Sequence, residues 1–280
     1  DSSDWNIELD YEDLKEFSKP FSIARAEERI FLSDEDKNWV KSDVTISGKR
    51  FKSAKVKISG TSNTPFNNSL SWFYRFKIWL SGVEVYDPTV VNYSYKVKLK
   101  SDKFSNGVRR FTLNTPGDQW DTSTIVLTNI AKDWGLIGSK VWPELVFINN
   151  VDAGLFLVSE DIDKELLERE YKTTNYGIYK SNDEWDKSLN KRHVSFTDYT
   201  TQDKEQGGMS PASEYGLTKL GQLFQVLENN NLKELKSRID LDYHAKISAL
   251  EMLYGNTHST IGDNVKYIYD SNHSISSFTF

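Results

Sequence analysis

Cysteine is absent from this chain of 280 residues. Its absence excludes disulfides, cysteine nucleophiles and thiolate-based zinc sites. A thiol-free chain fits export from a bacterium, and the sequence starts at Asp1 instead of Met, as expected where an N-terminal export segment has been removed. No run reaches the roughly eighteen consecutive apolar residues of a membrane-spanning helix, so no span is expected. Basic charge is not in excess. The net charge of −6 argues against a nucleic-acid partner, although a local basic strip can still hold a small phosphorylated ligand. The familiar nucleotide loops are missing too: there is no G-x-x-x-x-G-K-[ST], no G-x-G-x-x-G, no H-R-D and no D-F-G. No internal repeat or low-complexity tract is found.

What is present is globular in kind, with 38% apolar, 13% aromatic and 27% charged residues. This supports one large domain or two closely joined lobes. Residues 7–18 predict a short strand and a capped helical turn. Residues 39–60 predict a hairpin, with Val44 and Ile46 alternating on one arm, Ala54, Val56 and Ile58 on the other, and Gly48 in the turn. Residues 61–92 are aromatic-rich and read as a strand, a buried edge or an insertion.

Two clearer strands follow. "YSYKVKLK" alternates Tyr95, Val97 and Leu99 with Lys96 and Lys98, and "VRRFTLNT" alternates Phe111 and Leu113 with Arg110 and Thr112. Period two places Lys96, Lys98 and Arg110 on one face and the apolar set on the other. Such a face is either a half-solvated sheet surface, which pattern alone favours, or a cationic surface that holds phosphate. After Trp120 a helix is expected to end at Gly135, followed by a hairpin turning at Asn149–Asn150 whose second strand ends in Glu160. Residues 181–212 are polar and predict a long connector. Helices are expected over 213–229, over "NLKELKSRI", and over "DLDYHAKISALEMLYGN". In the last, Asp240 or Asp242 caps the start, and Tyr243, Ile247, Leu250 and Tyr254 share a face. The polar loop "NTHSTIGDN" then holds His258, Asp263 and Asn264 before a tyrosine-rich strand.

Several segments, in this order, resemble the CotH kinases, a family named for a bacterial spore coat protein. They are "AKVKISGTS", "YSYKVKLK", "VRRFTLNTPG", "AKDWGLIGSK", "ELVFINNVDAGLFLVSEDIDKELLE", "YGIYKSNDEW", "RIDLDYHAKISALEMLYGN" and "THSTIGDNVKYIYD". The most specific is the block Phe147–Asp163 with its Asn, Gly, Glu and Asp. The resemblance implies an α+β, atypical two-lobed protein-kinase-like fold. A β-rich N-lobe with an antiparallel sheet would cover 1–180, the polar connector 181–212 and a helical C-lobe 213–280. It also implies ATP with Mg2+ or Mn2+ as cofactors, and phosphoryl transfer to Ser or Thr of exported or cell-surface proteins. Lys96, Lys98, Arg110 and Glu160 would face the nucleotide, Asn264 would hold metal, and His258 stands where most members have the catalytic-loop Asp, with Asp263 as the second candidate. In the family a magnesium-holding Asp follows the strand after this loop. The sequence ends at Phe280 without it, which leaves open a truncated kinase, favoured by an ending in mid-strand, and a pseudokinase acting as a scaffold. A carbohydrate-binding module is a third class, suggested by Trp72, Trp79, Trp120 and Trp185 in or near loops.

Overall fold

The computed structural model describes residues 4–26, 36–59, 94–100, 103–115, 121–171, 176–186, 191–198, 222–223, 226, 229, 232–254, 266–270 and 276–278. The chain divides into two units, one of residues 1–121 with 140–161 and one of 122–139 with 162–280.

The first unit is a closed barrel of seven strands. They are β1 (Trp5–Glu8), β2 (Val40–Ile46), β3 (Lys49–Ile58), β4 (Tyr95–Lys98), β5 (Arg110–Asn114), β6 (Val141–Ile148) and β7 (Val151–Glu160), ordered β1-β2-β3-β4-β5-β7-β6 around the wall. Helix α1 (Tyr11–Ala26) follows β1. Its start is a reciprocal cap. Asp13 N donates to Asp10 Oδ1 at 2.9 Å, and Asp10 N donates to Asp13 Oδ2 at 3.1 Å. The β2–β3 turn uses Ser47 and Gly48 at φ 49° and 74°, the left-handed pair that a two-residue hairpin requires. One bulge interrupts this hairpin at Asp43. There the carboxylate accepts Ser53 N at 2.8 Å, and this bond, with Arg50 beside it, holds the Asp43 carboxyl below its usual range.

Alternation fills the barrel. Trp5, Ile7, Val44, Val56, Val97, Leu113, Ile148 and Val158 are among its buried residues. Trp5 meets Phe111 edge-on at 4.9 Å, and Tyr95 lies between Phe17 and Phe156. Each such side chain contributes about 1.5–3 kcal/mol when removed from water.

Closure depends on β1, which pairs antiparallel with β2 and parallel with β6. The β6–β7 turn reinforces that seam. Asn149 and Asn150 have φ 52° and 64°. The Asn149 side chain then continues the pairing past the end of β1: Leu9 N donates to its Oδ1 at 2.8 Å, and its Nδ2 donates to Leu9 O at 2.9 Å. Asn150 and Asn6 exchange a similar pair of bonds at 3.0 Å.

In the second unit, α2 (Asp121–Asp133) ends at Gly135, φ 75°, with Leu136 N bonded to Ala131 O at 2.8 Å and Gly135 N to Lys132 O at 2.9 Å. Helix α3 (Lys164–Tyr171) is capped by Asp163, whose Oδ1 accepts Leu166 N at 3.2 Å. The short α4 (Leu232–Leu235) precedes α5 (Leu241–Tyr254). Asp240, of the two expected candidates, caps α5 by accepting Tyr243 N at 3.0 Å. Tyr243 packs with Ile247 and Leu250, and its hydroxyl accepts Ile137 N at 3.1 Å. Strands β8 (Tyr176–Asp186), β9 (Lys191–Asp198), β10 (Lys266–Asp270) and β11 (Ser276–Phe278) form a four-stranded sheet ordered β11-β10-β8-β9.

This architecture overturns the expected two-lobed kinase-like fold with a helical C-lobe. The N-terminal sheet is a closed barrel, and the region expected to be helical contributes strands to a second sheet. Two physical reasons account for the difference. Alternation tells which face a strand buries but not its partner, and β1 reaches β6 across about 140 residues. The expected connector is polar enough to read as loop, because Trp185, Val194 and Phe196 are outnumbered by charged and small polar residues, yet β8 and β9 pair along it. The aromatic segment 61–92 and most of the helix expected at 213–229 lie outside the described residues.

Two outcomes follow from these contacts. Asn149→Ala removes both bonds to Leu9 and places a Cβ residue without local polar support at positive φ. It should cost roughly 2–3 kcal/mol in urea unfolding, and Asn149→Gly, which tolerates that φ, should cost less. Equal costs would show that the side-chain clamp alone matters. The second outcome concerns His244 on α5, which burial pushes below its ordinary 6.5 while Asp240 acts weakly the other way. A depressed histidine contributes stability above the unfolded value that is lost as pH falls below it. The melting temperature should therefore decline as pH drops below 6.5, and His244→Gln should flatten part of that decline. Identical pH profiles would refute the assignment.

Candidate functional site: a cationic wall of the barrel

The register of β3, β4 and β5 brings basic residues into rows. Lys55 lies opposite Lys98, and Lys98 opposite Arg110. The next row has Lys57 opposite Lys96, and Lys96 opposite Thr112. Directly paired residues share a face, so all five cations lie on the outer side of the wall, because Val56, Val97 and Phe111 face inward. The row Lys55–Lys98–Arg110 continues to Asp161, whose N–H donates to Arg110 O at 3.0 Å. The Asp161 carboxylate lies 3.9 Å from Lys96 Nζ.

This outer face is not an ordinary solvated one. Lys98 is only 8% exposed and Arg110 only 9%, which rules out the half-solvated reading at both positions. Like charges directly opposite on a sheet repel, and burying them adds a desolvation cost. A surface of one sign of charge is a candidate site for an anionic ligand. Lys57 is also stacked over the Trp39 ring, 5.1 Å from its centroid.

The expected site residues divide into three groups. Lys96, Lys98 and Arg110 come together. Glu160 is 3% exposed and pairs with Phe111, so its register face is the inner one, and its Oε2 accepts Lys140 N at 3.3 Å. His258, Asp263 and Asn264 lie outside the described residues. So do Trp72, Trp79 and Trp120 of the carbohydrate-binding alternative, while Trp185 lies in strand β8, one residue before its end. The sequence reading missed Lys55 and Lys57. The signal for them was the same period of two, in "KSAKVKI", but only the register could set them beside Lys96 and Lys98.

The donor set suits a polyanion. Five ammonium or guanidinium groups stand on three neighbouring strands, with strands spaced about 4.8 Å apart, and offer many N–H donors to phosphate oxygens. It does not suit a metal. Among the described residues no group of three or more His, Asp or Glu side chains could hold one. Among the same residues no helix is long and apolar enough to cross a membrane.

The family model for CotH kinase protein matches residues 89–279, more than half of the chain. The chain belongs to the CotH kinase family. The matched segment includes Lys96, Lys98, Arg110 and Glu160, whereas Lys55 and Lys57 precede it. No curated protein matches the chain. At family level this is a CotH-like kinase, and the family as a whole implies ATP and a divalent metal.

The cationic wall generates a test that needs no catalysis. Inorganic triphosphate should raise the melting temperature more than sodium chloride at equal ionic strength, since simple screening cannot distinguish the two. Lys98→Met should remove most of that difference. Equal effects of the two salts on the unmutated protein would show that the wall holds no polyanion.

Proposed function

We propose that this protein transfers the γ-phosphoryl group of ATP to a hydroxyl of Ser or Thr on a protein acceptor. The single observation that carries the reading is the Lys55–Lys98–Arg110 row in a chain of the CotH kinase family. Phosphoryl transfer asks the protein mainly for positioning and for positive charge against the phosphates. In this reading Lys98 and Arg110 bind the phosphates, and Lys96 is shared between them and Asp161. Asn264, which lies between α5 and β10 in the sequence, supplies a metal ligand. Mg2+ or Mn2+, when bound with the nucleotide, neutralises charge on the transferred group. His258 accepts the acceptor hydroxyl's proton, a role that imidazole suits near neutral pH, with Asp263 as the alternative base. The absence of cysteine fits an exported enzyme acting on exported or surface proteins.

The test is transfer of label from γ-labelled ATP by this protein, supplied with Mg2+ or Mn2+. Lys98→Met should weaken ATP binding. Asn264→Ala should lower both metal–ATP affinity and turnover. His258→Ala should keep ATP affinity and lower turnover by about 10²-fold or more. Full activity in His258→Ala would move the base to Asp263. No transfer by the unmutated protein, to itself or to co-exported proteins, would refute the kinase reading.

A further inference from the structure

The end of the barrel beside the cationic row holds an arrangement that phosphate binding does not use. Lys140, the residue before β6, is gripped through its backbone by Glu160. Glu160 N donates to Lys140 O at 2.8 Å, and Lys140 N donates to Glu160 Oε2 at 3.3 Å. From that fixed base the Lys140 ammonium donates to Asn106 O at 3.0 Å. Asn106 is at the tip of the β4–β5 hairpin. Asn106 and Gly107, at φ 52° and 75°, form its turn, and Ser105 and Val108 exchange both backbone bonds at 2.9 Å. Below the tip Leu99 N donates to Arg109 O at 2.9 Å, and the next pair along the ladder is Lys98 with Arg110. On the β5 side only Val108 and Arg109 separate the tip from Arg110, and Arg109 O and Arg110 pair with Leu99 and Lys98, so the tip lies close along the chain to the two most buried cations of the wall.

We propose that Lys140 is a positioning residue. It pins the β4–β5 tip to the end of β7 and so fixes the placement of Lys98 and Arg110 for the phosphates. The proposal rests on the phosphate reading given above and adds a residue to it. It also gives Glu160 a role: the carboxylate holds the base of the pin. Asn106 and Gly107 are exposed, and the Lys140 ammonium restrains the tip from outside its own turn. An exposed bond of this kind contributes little to global stability, and its loss should appear as local opening.

Amide hydrogen exchange and ATP titration test it together. In the nucleotide-free protein, Lys140→Met should speed exchange at Ser105 and Val108 by about tenfold, the factor expected for losing one charge-assisted bond. Exchange in the β6–β7 ladder should not change. Lys140→Arg, which keeps a cation with several donors, should restore slow exchange. The Met variant should also raise the KM for ATP about tenfold while changing kcat much less. Unchanged exchange at the tip would overturn the pin, whatever the protein does with ATP. Faster tip exchange with unaltered ATP affinity would overturn its link to the phosphates. Failure of the unmutated protein to bind ATP would overturn the phosphate reading and the positioning role with it, and the nucleotide-free exchange data would keep the two failures distinct.

Discussion

The parallel pairing of β1 with β6 is the contact on which the first unit depends. Trp5, Asn6 and Ile7 align with Val146, Phe147 and Ile148, and without that seam the seven strands are an open sheet with two raw edges. Parallel neighbours need a long connection, and here it is nearly the whole barrel. A four-residue strand offers few ladder bonds of its own. The asparagine turn supplies more, since the Asn149 amide acts as one further pair of backbone groups facing Leu9. The most specific block of the sequence thus has an architectural explanation for its asparagine before any chemical one is needed.

Closure has an electrostatic result. A flat sheet with lysines on one side would leave them in water. Here the wall's inner side is filled by Val56, Val97 and Phe111, so Lys55, Lys57, Lys96, Lys98 and Arg110 stand on the outer side in register. The cations are brought together by the same alternation that builds the core. No separate device is needed to collect them. The Asp161 carboxylate lies at the end of the row, 3.9 Å from the Lys96 ammonium.

Much of this was legible in the sequence. The β2–β3 and β6–β7 turns at Gly48 and Asn149–Asn150 were readable, because left-handed turn residues have few substitutes. The helix end at Gly135 was readable for the same reason. The cations Lys96, Lys98 and Arg110 were placed on one face by period two alone. What stayed hidden depends on partners distant in the chain. Barrel closure, the alignment of Lys55 with Lys98 and the inward face of Glu160 all follow from register, which a local pattern does not contain. The second sheet was hidden for a different reason: β8 and β9 carry too few apolar residues to stand out from a polar loop.

The family-matched segment begins at residue 89, whereas β1, β2 and β3 end at Ile58. Three of the seven staves therefore lie upstream of the matched segment, and one of them carries Lys55 and Lys57. Cut to its recognisable portion, the chain would leave β4 and β6 as open edges, inviting association with any extended strand. The matched segment and the barrel are different lengths of this polypeptide, and an excision made at the boundary of the first would divide the second.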